Sequence, residues 1–139
     1  MMKDTFFTAL AGIGAGIVTT LLGGWDIATE ILLIFIVLDY ITGMAAAWKT
    51  KTIKSSVGFE GLMKKGAIFL VVILAAQLDR MTGNSVGLFR TSTCFFFVGN
   101  EGISFVENIG EMGVKLPAFI AKALAKLRDE NNVQDDGDE

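Results

Sequence analysis

The chain contains no histidine and a single cysteine, Cys94. Without histidine, one chain cannot assemble a Ser-His-Asp triad, a Cys-His dyad or a zinc site of the usual Cys/His kind. With one cysteine it cannot close an internal disulfide, so cysteine usage says nothing about redox compartment. Cys94 lies in the apolar run TSTCFFFVG and reads as a small buried hydrophobe. Charge is scarce as well, with Asp, Glu, Lys and Arg together making 19% of 139 residues. No basic stripe with interleaved aromatics is present, which removes support for nucleic-acid binding. The net charge is −3, but the last five residues, DDGDE, hold four acids, so the acidity belongs to a tail. The glycines of the first apolar block lack the lysine and threonine of a phosphate loop. No cofactor, metal or catalytic group can be assigned, and the chain reads as non-enzymatic.

What the sequence has in quantity is apolar length. Hydrophobic residues make up 52% and the mean hydropathy is +0.54. They stand in long blocks without amphipathic spacing, the pattern of a chain dissolved in lipid. The pattern predicts an all-α membrane protein with three to four transmembrane helices and a cytoplasmic basic amphipathic helix at the C-terminal end. One membrane domain covers residues 1–128, and an acidic, disordered tail covers 129–139.

The first block, about 5–25, is free of charge and about 31 Å long as a helix. Thr8, Gly12, Gly16, Thr20 and Gly24 recur every fourth residue and form a small-residue ridge suited to close helix packing. A secretory signal is disfavoured, because Lys3 is followed by Asp4 and no cleavage site precedes a soluble domain. The second block, 27–48, is bracketed by Trp25 and Trp48 like an aromatic belt, with Asp39 inside it. The connector from Lys49 to Lys65 carries Lys49, Lys51, Lys54, Lys64 and Lys65 against one acid, Glu60. The positive-inside rule makes it a cytoplasmic anchor. The third block, 66–80, has only 13 uncharged residues, Gly66 to Leu78, about 20 Å of helix and short of a bilayer core.

The fourth block, 86–109, contains CFFFVG but also Arg90, Asn100, Glu101, Glu107 and Asn108. It suits a helix facing protein or water, or one lying at the interface. Around 116–128, Leu116, Ile120, Leu124 and Leu127 form an apolar face flanked by Lys122, Lys126 and Arg128. Such a helix fits a membrane surface or a partner helix. With four crossings both termini are cytoplasmic; with three they lie on opposite sides.

The polar residues inside the blocks are the candidate sites. Asp39, Arg90, Asn100, Glu101 and Glu107 either line a pore or pair between helices, and Asp39 could pair with Arg90. Asp39 could also sense protons or voltage, or make a plain interhelix hydrogen bond. Gly12, Gly16, Thr20, Gly24 and Gly43 are packing candidates.

The segment LDYITGMAAAWKTKTIKSSVGFEGLMKKG, Leu38 to Gly66, resembles the central signature of a phage holin family that also contains the clostridial toxin-secretion holin. The resemblance rests on Asp39, Gly43, Lys49, Lys51, Ser55, Ser56, Gly58, Gly61, Lys64 and Lys65. A second match, NEGISFVENIGEMGVKLP from Asn100 to Pro117, resembles that family's acidic stretch before a basic C-terminal helix. Together they cover about half the chain in the expected order. The resemblance implies a homo-oligomer in the bacterial cytoplasmic membrane that forms lesions. Endolysin, or in some relatives a toxin, passes through these lesions. The partners would be membrane lipids, further copies and, functionally, endolysin, with no cofactor. A selective ion channel or small transporter, and an antiholin-type regulator, are the competing classes. A channel would require a filter or an inverted repeat, and no internal repeat is evident. Met1 and Met2 have no charge between them, which does not suggest a dual-start holin and antiholin pair.

Overall fold

The structure is a computed structural model that describes residues 1–130, and every regular element there is a helix. The helices are α1 (Met2–Leu21), α2 (Ile27–Lys49), α3 (Ser55–Met81), α4 (Leu88–Glu111) and α5 (Ala118–Glu130). The protein is an all-α membrane protein. Three helices, α1, α2 and α3, are long and apolar enough to cross a membrane. From α2 to α5 the helices alternate in direction, as the contacts of Lys65 with Asp39, Asp79 with Arg90, Lys49 with Met112 and Gly102 with Leu124 require. Residues 131–139, most of the acidic tail, lie outside the described residues, while Asp129 and Glu130 belong to α5.

α4 is the hub. It packs against α2, α3 and α5, and the residues it buries are Arg90, Cys94, Val98, Gly99, Glu101 and Gly102. The apolar core is built around Leu32, Ile36, Ile68, Val72, Cys94 and Val98. α1 stands apart, with no buried residue. It is held at its C-terminal end, where Gln77 Nε2 donates to the Leu21 carbonyl at 3.0 Å. The following turn brings Leu22 into the core. Gly23 there has φ +77°, and a Cβ would meet both Ala76 Cβ and Arg90 Cδ at 3.2 Å. Glycine therefore serves backbone conformation and close approach at once.

α3 begins eleven residues before the boundary the charge pattern suggests, and it is 27 residues long. The apparent shortness of the third block disappears for a geometric reason. Phe59, Met63, Leu70 and Leu74 are exposed and share one helix face. From Phe59 to the exposed Leu78 this apolar side runs about 28 Å, the length of a bilayer core, with exposed Glu60 and Lys64 beside its first turns. Lys65 points inward, away from that side. No thinning of the membrane is needed.

α5 packs along α4 instead of lying alone on a surface. A Cβ at Gly102 would come within 2.5 Å of Leu124 Cδ2 and 2.9 Å of Phe35 Cε1. Only glycine lets α4, α5 and α2 meet there without displacing a side chain. Leu127 packs against the apolar core.

Candidate functional site

Two ion clusters tie the bundle together, one at mid-depth and one at the end where α4 starts. The inner cluster joins α2, α3 and α4. Lys65 Nζ donates to Asp39 Oδ2 at 2.6 Å and to Glu101 Oε2. The Lys65 side chain is 13% exposed, and Asp39 and Glu101 are buried. Asn108 Nδ2 donates to Asp39 Oδ1 at 2.9 Å and to Thr42 Oγ1 at 3.3 Å. Asp39, Lys65 and Glu101 stand at one level because each lies about ten residues, or about 15 Å, from the same end of the bundle. A cavity of about 360 Å³ adjoins them, lined in part by Tyr40, Gly58, Gly61, Lys64 and Ser104.

Two carboxylates share one ammonium there. Removing such charges from water costs several kcal/mol per ion, and the cluster recovers that through mutual attraction and hydrogen bonds. Among the described residues no buried side-chain nitrogen or oxygen lacks a partner.

The second cluster centres on Arg90. Its guanidinium pairs with Asp26 Oδ2, and its Nη1 donates to Asp26 Oδ1 at 3.1 Å and to Thr29 Oγ1 at 3.0 Å. Asp26 is also the N-cap of α2, accepting from Thr29 N at 3.1 Å. Arg90 and this cap hold the Asp26 carboxyl down at about 2 against an ordinary value of 3.8. Asp79 of α3 accepts from the backbone N–H of Phe89 at 3.0 Å and of Arg90 at 2.8 Å. It thus caps α4, which has no side-chain cap of its own. At the opposite end Lys49 of α2 donates to the Met112 carbonyl at 2.8 Å and the Glu111 carbonyl at 3.3 Å. A cation there complements the helix dipole.

Over residues 16–129 the chain matches the bacteriophage holin family. It belongs to that family. Among similar proteins is an uncharacterized protein of Clostridium perfringens strain 13, 41% identical over 116 residues, covering 84% of this chain and 86% of that protein. The probable holin of Bacillus phage phi105 is 34% identical over 110 residues, 79% of this chain and 81% of that holin. An uncharacterized protein of Listeria innocua is 35% identical over 130 residues, 91% of each chain. No solved structure matches this holin-family chain. Family and helices together point to a multi-pass protein of the cytoplasmic membrane and support a holin role.

The ion clusters assign partners that charge spacing alone does not. Asp39 pairs with Lys65 and not with Arg90, and Arg90 takes Asp26 instead. Arg90 is the third residue of α4, far along the bundle from Asp39. Lys65, read from the sequence as an exposed anchor, is an internal counter-ion, whereas Lys51, Lys54 and Lys64 are exposed. Glu107 is exposed and Asn100 half-buried, and neither belongs to the two clusters. Gly12, Gly16 and Gly24 face open space, with nothing within 4 Å of a Cβ, and Thr20 is exposed. Gly43 does face a neighbour: a Cβ would sit 3.4 Å from Asn108 Nδ2, ordinary contact. Sequence reasoning does not single out Asp26, Asp79, Thr29 or Gly102 as site residues. Asp26 followed by Ile-Ala-Thr-Glu carries a readable helix-start signal. Asp79 and Gly102 act on residues distant in sequence and carry none.

Proposed function

We propose that this holin-family chain oligomerises in the bacterial cytoplasmic membrane and forms lesions through which endolysin leaves the cytoplasm. The observation that carries the proposal is the state of α1. It is a 20-residue apolar helix with no buried residue, tethered by its last turn, with its Gly12 and Gly16 ridge in open space. Such a helix is suited to lipid or to further copies of the chain, and small residues let backbones approach. Four crossings, α1 to α4, put both ends of the bundle's chain path in the cytoplasm. The exposed Lys51 and Lys54 of the α2–α3 loop then lie on the positive side.

Controlled expression in bacteria with and without an endolysin tests this. The expected result is growth, then abrupt lysis that requires the endolysin, and a delay or loss of lysis in Gly12→Leu/Gly16→Leu at equal membrane levels. Collapse of the membrane potential with the endolysin retained inside would instead identify an ion channel. Silence alone, combined with delay of another holin, would identify a regulator.

A further inference from the structure

A lesion needs a surface that tolerates water at membrane depth, and the buried charges Asp39, Lys65, Glu101 and Arg90 are spent on ion pairs inside the bundle. We propose that α5, docked on α4, is the water-facing wall of the assembled lesion, presenting Lys122, Lys126 and Asp129 to the aqueous side. The inference rests on the lesion-forming function proposed above.

Depth is the first observation. Leu124 meets α4 at Gly102, the residue next to Glu101, and so reaches the level of the Lys65 ion cluster. That level lies within the apolar stripe of α3, because exposed Phe59 and Met63 continue it past Lys65 toward the loop, with exposed Glu60 and Lys64 beside it near that end. On α2, exposed Ile41 and Trp48 do the same past Asp39. α5 therefore extends into the slab that α2 and α3 occupy, and its last turn stands about 7 Å deeper than Leu124.

Chemistry is the second. Ile120, Leu124 and Leu127 face inward, whereas Lys122, Lys126 and Asp129 are exposed at i, i+4 and i+7, on the side opposite Leu124. Hydrocarbon does not accept such a stripe. A lysine near a membrane surface can extend its ammonium to the headgroups, but Asp129 is too short to do so from the deep end of α5. The bundle thus has lipid-compatible outer faces on α2 and α3 and a water-compatible face on α5, with polar-cored α4 sealed between them. Copies arranged with α5 inward would enclose water while keeping every ion cluster intact.

The test uses full-length protein with Cys94→Ala, reconstituted in liposomes of phosphatidylethanolamine and phosphatidylglycerol that enclose a labelled endolysin-sized protein. Phe35→Cys and Leu124→Cys, whose parent side chains meet at Gly102, are joined by a short bifunctional thiol reagent to hold α5 in place. In separate single-cysteine variants, nitroxides at 122, 126, 70 and 74 report access to an aqueous nickel chelate relative to oxygen. The expected result is that tethered protein still releases the enclosed protein. Positions 122 and 126 should then favour the aqueous reagent severalfold over lipid-facing 70 and 74. Release by untethered protein and none by tethered protein would show that α5 must leave α4, overturning the proposal while leaving lesion formation standing. Oxygen-favouring access at 122 and 126 in a releasing sample would overturn it too. Failure of the untethered protein to release anything would remove the lesion itself, and this proposal with it.

Discussion

Removing the ammonium from the inner cluster gives the sharpest test of what holds the bundle together. In Lys65→Met, Asp39 and Glu101 lose the cation they share, and both remain buried among α2, α3 and α4. Stranding charge in this way costs about 3–5 kcal/mol. The same physics makes the whole cluster dispensable for stability. Replacing a complete buried ion group by well-packed hydrophobic residues of similar volume is often neutral, or stabilising by about 1–4 kcal/mol, and neutral amides that keep their hydrogen bonds avoid the cost of stranded charge. Asp39→Asn/Lys65→Met/Glu101→Gln should therefore recover most of the loss, because the Asp39→Asn amide keeps a side-chain oxygen to accept from Asn108. Helical circular dichroism of micellar protein across an SDS titration reads both variants against the parent. The expected pattern is one weak single variant and one near-native triple variant. A Lys65→Met protein within about 1 kcal/mol of the parent, or a triple variant no better than the single, would refute the assignment of Lys65 as the internal counter-ion.

Further outcomes follow from individual contacts. Gly102→Ala puts a methyl against the ends of the Leu124 and Phe35 side chains and should cost about 1 kcal/mol net, the overpacking being partly offset by the helix preference of alanine; adding Leu124→Ala should cancel part of the clash, a coupling seen in a double-mutant cycle. Lys49→Met uncaps α4 and should cost about 0.5–1 kcal/mol, while Lys51→Met stays within about 0.5 kcal/mol of the parent in the same titration. The Asp26 carboxyl is depressed in the folded protein, so its contribution is complete above its ordinary value of 3.8 and is lost as pH falls toward 2. The parent should lose stability over that window, and Asp26→Asn should lose less, by acid titration of the melting temperature; Asp26 is 43% exposed, so the difference is modest. Gly12→Leu/Gly16→Leu should melt like the parent as a monomer in detergent, because nothing among the described residues touches that ridge.

Apolar run length locates α1 and α2 within a few residues, because in a membrane protein the solvent itself selects long apolar segments. It misplaces the start of α3. The turns from Ser55 to Lys65 are amphipathic, and a count of uncharged residues cannot tell an inward lysine from a lipid-facing one. The charge pattern shows that Arg90, Glu101 and Asp39 need partners but suggests the wrong cation for Asp39. Charge says that a partner is required, while helix register across three elements decides which one is in reach. Gly102 is silent for the same reason. Its significance lies in Leu124 and Phe35, 22 and 67 residues away in sequence.

The two caps of α4 bear on how the protein is made. α4 draws its N-terminal cap from Asp79 and its C-terminal cap from Lys49, and the partners of its buried Arg90 and Glu101 lie on or just before other helices. It therefore depends on α2 and α3 for the groups that satisfy its ends and its buried charges. Synthesis from the N-terminus supplies those two helices first. A nascent chain arrested with Met81 just clear of the ribosome would be expected to hold α2 and α3 as a hairpin, with the surface that receives α4 uncovered. Release of the remaining residues would then close the bundle in one late step, with α5 folding over α4 last.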